Sequence, residues 1–155
     1  MKDLLALPTS RSAIVSAKFI IMILWSAVLV AVVCLAGLAI GFLVALPQTS
    51  PLIIWQGGLT LAITAGLTIA SVTPIVFFAS AGHGYLPPVG VAILTLFLAQ
   101  IIAIAGWGEY FPWSIPALYS QGAELEPISY AIIFLTGIVG LAATFIWWRI
   151  VDQTS

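Results

Sequence analysis

Four apolar runs, at residues 19–46, 58–78, 89–107 and 129–148, organise the chain. About 20 residues of helix cross a hydrocarbon core of about 30 Å, so each run is long enough to span a bilayer. None shows the period-two alternation of a barrel strand. In lipid every backbone N–H and C=O needs a partner within the protein, and a single continuous run meets that demand only as a helix. The first run would reach roughly 42 Å at about 1.5 Å per residue, which predicts a tilted, kinked or partly interfacial helix.

Polar punctuation predicts the rest. Asp3 can cap a short turn at 4–7 that Pro8 interrupts, and Ser10 can cap a helix that begins near Arg11 and enters the membrane at Lys18. Residues 1–18 therefore read as a cytoplasmic elbow helix or, more plainly, as a flank whose cations only set topology. Between the third and fourth runs, residues 108–128 are too apolar for a free loop, with Tyr110, Phe111, Trp113, Ile115, Leu118 and Tyr119. Pro112 and Pro116 make the same stretch too irregular for a span. An outer interfacial or re-entrant segment is expected there. The predicted fold class is an all-α membrane protein: a single domain over 1–155 with about four transmembrane helices, the elbow and the outer segment.

Composition agrees with the pattern. Charged residues make up 6% of the chain and hydrophobic ones 63%, with a mean hydropathy of +1.24; a soluble domain carries about a quarter of its residues as charges. All four Lys and Arg (Lys2, Arg11, Lys18 and Arg149) flank the first and last runs, whereas 47–57 and 108–128 contain none. By the positive-inside rule both termini and the connection at 80–88 are expected on the cytoplasmic side of a multi-pass cell-membrane protein. The first run also exceeds the 7–15 apolar residues usual in a signal peptide, so it is expected to remain in the mature chain.

The chemistry that is missing narrows the function. No G-x-x-x-x-G-K-[ST] loop, no H-E-x-x-H and no Ser/His/Asp set occurs, so no catalytic residue, no cofactor and no ATPase activity is assigned to this chain. His83 is the only histidine and Cys34 the only cysteine, which leaves no metal set and makes Cys34 a small buried apolar residue. No basic patch suggests nucleic acid; the partner that composition demands is the lipid bilayer. No charged side chain lies in the middle of a run, which argues against proton coupling within the chain. Transport through it would draw energy from another subunit.

A few polar and small residues inside the runs remain. Thr60, Thr64, Thr68 and Ser71 share a helical face and either line a polar path or bond back to their own helix. Gln100 reads first as interhelical glue and second as a lining residue. Pro74 predicts a kink. Gly37 with Gly41, and Gly137 with Gly140, mark faces where another helix can approach closely.

Taken together, several segments resemble one family. KDLLALPTSRSAIVSAK at 2–18, GHGYLPPVGVAILTLFLAQ and GWGEYFPWSIPAL within 82–118, and the closing WWR are similar to permease subunits of type-2 ATP-binding-cassette exporters, in the bacitracin-export-permease-like branch. The resemblance covers nearly the whole chain, and GWGEYFPWSIPAL is its most specific part. Family members usually have six spans, so it implies that this chain starts in the loop after the second. It further implies an exporter permease that pairs with a second permease subunit, as a homo- or heterodimer, and docks on a separate ATP-binding subunit. Leu5, Leu7 and Pro8 would then supply the apolar coupling contact and Arg11 a polar anchor. The alternative on the residues alone is a small structural or regulatory multi-span protein without transport of its own.

Overall fold

The computed structural model describes residues 11–44, 50–82 and 84–150. Leu5, Leu7, Pro8, the caps at Asp3 and Ser10, and His83 lie outside these residues, as does the side chain of Arg11. Among the described residues there is no strand, and most are helical, in α1 (Arg11–Leu43), α2 (Pro51–Ala81), α3 (Leu86–Ile104), a 3-10 turn (Gly108–Tyr110), α4 (Ile115–Ser120) and α5 (Pro127–Ile150). Four of these helices, α1, α2, α3 and α5, are long and apolar enough to cross a membrane. The chain is an all-α, multi-pass membrane protein.

Local chemistry sets the helix ends, and in places it moves them from the expected positions. α2 starts at Pro51, well before residue 58, so most of the expected connection at 47–57 is helix. The Ser50 side chain accepts a hydrogen bond from the Ile53 N–H, and Pro51 occupies the first helical position, where its missing N–H costs nothing. Those start signals outweigh the Gly57-Gly58 pair that reads as a boundary in the sequence. α3 takes Pro87 and Pro88 into its first turn and ends at Ile104, short of Trp107. Gly106, at φ +82°, turns the chain in a conformation that other residues rarely adopt.

The tightest pairing joins α2 and α5. Leu67 packs with Ile133, Ala70 lies under Gly137, and Thr73-Pro74 lies under Gly140, so the two helices run in the same direction. A Cβ on Gly140 would lie 2.5 Å from the Pro74 nitrogen and 2.6 Å from the Thr73 carbonyl carbon. Only glycine admits a crossing that close. At Gly137 the nearest neighbour would be the Ala70 Cβ at 3.3 Å. Pro74 has no N–H for the Ala70 carbonyl, and the Thr73 hydroxyl stands in for it, sharing its single proton between Ala70 O at 2.8 Å and Gly137 O at 3.1 Å.

α1 runs against this pair. Phe19 stacks on Phe145 with ring centroids 6.1 Å apart, and Lys18 Nζ lies 5.0 Å from the centre of the Trp148 ring. Toward its C-terminal end α1 stands away from α2, and Gly37 and Gly41 line an open apolar groove of about 350 Å³ with Gly57 and Gly58 across it. A Cβ at Gly37 would meet nothing within 4 Å. α3 lies on α2 and keeps most of its apolar side chains exposed.

Candidate functional site

The segment between α3 and α5 builds the site. Gly108 is buried so closely that a Cβ there would lie 3.1 Å from the Ala103 Cα and 3.0 Å from the Leu118 Cδ1. The chain then folds inward. Ser114, buried, donates its hydroxyl to the Ala99 carbonyl at 3.0 Å. Ile115 is 0% exposed and packs in one cluster with Leu67 and Ile133, which is also 0% exposed. Ala99 lies between one and two turns inside the end of α3, and Ile133 a similar distance inside the start of α5. At about 1.5 Å per residue, the segment dips roughly 8–9 Å between the helices. The segment folds back between the helices, held by the Ser114 hydrogen bond and by Ile115, with Tyr119 and Leu125 packed against the same cluster.

Under this insertion, α2, α3 and α4 enclose a groove of about 470 Å³ lined by Thr64, Thr68, Ser71, Thr95, Trp113 and Ser120 among apolar neighbours. The hydroxyl protons are largely committed. Thr68 donates to Thr64 O at 2.8 Å, Ser71 to Thr68 O at 2.9 Å, Thr95 to Ala92 O at 2.9 Å and Ser120 to Ala117 O at 2.8 Å. A hydroxyl that gives its proton to its own helix keeps its lone pairs, so the wall is rich in acceptors. Three buried side-chain polar atoms, Thr64 Oγ1, Trp113 Nε1 and Ser129 Oγ, have no partner among the described residues, and the first two belong to residues of this lining. No Asp, Glu, Lys, Arg or His lines the groove, and no cluster fit to hold a metal ion occurs among the described residues.

The polar residues singled out in the sequence thus separate. Thr64 and Thr68 meet in the groove, whereas Thr60, one turn away on α2, is half-buried outside its lining. Gln100 is exposed on α3 and does not line the groove. Thr95, Trp113 and Ser120 escaped the sequence reading: Thr95 is a lone hydroxyl in an apolar run, and Trp113 reads as an interfacial anchor. Pro112 and Pro116, which break the segment around Trp113, are the signal that pointed nearest to the site.

Residues 1–100 match the model of a family described as ABC-2 family transporter protein. The chain is also similar to the bacitracin transport permease protein BCRB of Bacillus licheniformis, with 24% identity over 159 residues that cover 98% of this chain and 75% of the relative. No solved structure matches.

Proposed function

The chain belongs to the ABC-2 transporter family, and on that premise we propose that it is the membrane permease subunit of an exporter driven by a separate ATP-binding subunit. The family match, which reaches from the N-terminus through most of α3, carries this reading. Two features support it. The membrane helices hold no charged side chain at mid-span that would couple an ion gradient to transport. The bacitracin transport permease named above makes an amphipathic, peptide-like cargo the first class to test.

In this proposal both termini face the cytoplasm and the protein resides in the cell membrane. α1 begins, α5 ends and α2 turns into α3 on one side, and Lys18 and Arg149 lie on that side with them. Leu5, Leu7 and Pro8 dock on the ATP-binding subunit, with Arg11 as polar anchor. A second permease copy or homologue completes the pathway, against the exposed apolar faces of α1 or α3. The test is co-purification in mild detergent from cells that also express the neighbouring genes. Recovery of an ATP-binding subunit whose hydrolysis responds to the permease is the expected result. Repeated isolation without one sinks the proposal in favour of a scaffold protein.

A further inference from the structure

We propose that two copies of this chain pair through the outward face of α3, with their Gln100 amides bonded to each other across a two-fold axis normal to the membrane. This names a surface and a side chain for the second subunit of the permease reading above, on which its role in transport rests. The pairing itself is measurable without an ATP-binding subunit.

Gln100 carries the inference. It is the one strongly polar side chain of α3, it lies a full turn (about 6 Å) inside the Ile104 end, and it is exposed. α3 buries Thr95 and Ala99 against the rest of the molecule and leaves Gln100 outside that contact. Hydrocarbon offers an amide neither donor nor acceptor, and leaving it bare is costly. The face around it suits another helix. Leu86, Gly90, Ile93, Phe97, Gln100 and Ile104 follow each other by four and three residues, which at about 3.6 residues per turn keeps them in one stripe, and all are exposed. A Cβ on Gly90 would meet nothing within 4 Å, so a neighbouring backbone can come close at that level.

The amide also selects the occupant. It holds two donors and an acceptor, so it is complementary to a second Gln100 and needs no other chemistry from its partner. Two copies with the same topology place that residue at the same depth, and a two-fold axis normal to the membrane makes their α3 helices parallel and in register. In coiled coils a single polar residue within an apolar heptad seam fixes register and strand number in the same way. A lipid tail could cover the same stripe but would leave the amide unpaired.

The experiment uses the full chain in proteoliposomes, with single cysteines in a Cys34→Ala background and oxidative cross-linking. Ile93→Cys and Phe97→Cys, on the stripe, should give disulfide-linked dimers; Leu94→Cys and Leu98→Cys, exposed but turned away from it, should not. Energy transfer between labelled copies, followed as lipid is added, should show Gln100→Leu weakening the pairing about threefold to tenfold, the range of interhelical hydrogen bonds in lipid. Gln100→Asn should keep most of it. Because Gln100 is exposed, neither substitution disturbs packing within one copy. Cross-linking of Leu94→Cys and Leu98→Cys as efficient as that on the stripe overturns the proposal. So does pairing that Gln100→Leu leaves unchanged or strengthens, the result expected if the amide only reaches up to the headgroups or lipid covers the face. Stripe-specific dimers in a chain that never captures an ATP-binding subunit keep the interface and remove only its transport role. An ATP-binding subunit captured by a chain without such dimers keeps the permease reading and overturns the interface.

Discussion

The Thr73 hydroxyl on α2 lies 3.1 Å from the carbonyl oxygen of Gly137 on α5, at the point where Pro74 leaves the Ala70 carbonyl without its helical N–H. The same hydroxyl is 2.8 Å from Ala70 O, so one side chain both mends the break in α2 and ties α2 to α5. Gly137 and Gly140 make the approach possible by presenting bare backbone at that level. A proline, a threonine and two glycines therefore act as one joint.

Thr73→Val keeps the shape and removes the donor. Leaving buried carbonyls short of a partner costs about 1–3 kcal/mol, and the unfolding midpoint in mild detergent should fall accordingly. In a Pro74→Ala background residue 74 regains an N–H for Ala70 O, so the same substitution should cost less. A double-mutant cycle reads the difference; equal costs in both backgrounds would mean that the hydroxyl does not serve the break.

The glycines should separate sharply. Gly140→Ala drives a methyl into the backbone of Thr73 and Pro74, and overpacking of that kind costs about 1–3 kcal/mol. Gly37→Ala meets nothing within 4 Å and should be neutral or stabilising by about 0.5–1 kcal/mol, the usual gain from glycine to alanine within a helix. Thermal unfolding of the two variants side by side decides the matter.

Ile115→Ala should release the re-entrant segment. It empties the space between Leu67 and Ile133, and truncations in such cores cost about 2–5 kcal/mol. Ser114→Ala loses only the bond to Ala99 O and should be milder. Limited proteolysis in proteoliposomes, with cleavage near residues 121–124 as the readout, should rank the two in that order.

Topology is accessible through single cysteines in a Cys34→Ala background. Gln121 and Tyr85 are both exposed and have negative φ, unlike Gly84 at φ +122°, where a side chain would strain the turn. An impermeant thiol reagent added to whole cells should label Gln121→Cys and spare Tyr85→Cys. The reverse pattern would invert the proposed orientation.

Coupling to an ATP-binding subunit should depend more on apolar contact than on charge. Burying a leucine contributes about 1.5–3 kcal/mol, whereas an exposed ion pair contributes about 0–1 kcal/mol. Leu5→Asp or Leu7→Asp should therefore abolish stimulation of the partner ATPase in a reconstituted complex, with Arg11→Ala weaker. Wild-type stimulation in both leucine variants would return this stretch to the role of a topogenic flank.

The all-helical membrane class and the number of long helices were legible in the apolar runs, because lipid leaves the backbone of a long apolar run no other way to bond. Ser50-Pro51 and Pro87-Pro88 also carried the start signals of α2 and α3 in plain local chemistry, although the first was passed over. Tertiary structure alone decided which faces meet. Gly37 with Gly41 and Gly137 with Gly140 look alike in sequence, yet one pair faces an open groove and the other crosses Thr73 and Pro74. Small residues permit close approach; which helix arrives depends on partners far along the chain. For the same reason Thr64 and Thr68 share a groove with Thr95 and Trp113 while Gln100, the more polar side chain, stands outside it. A hydroxyl satisfied by its own helix can face any neighbour, so its place is set by the Ser114 and Ile115 insertion that closes the groove from above.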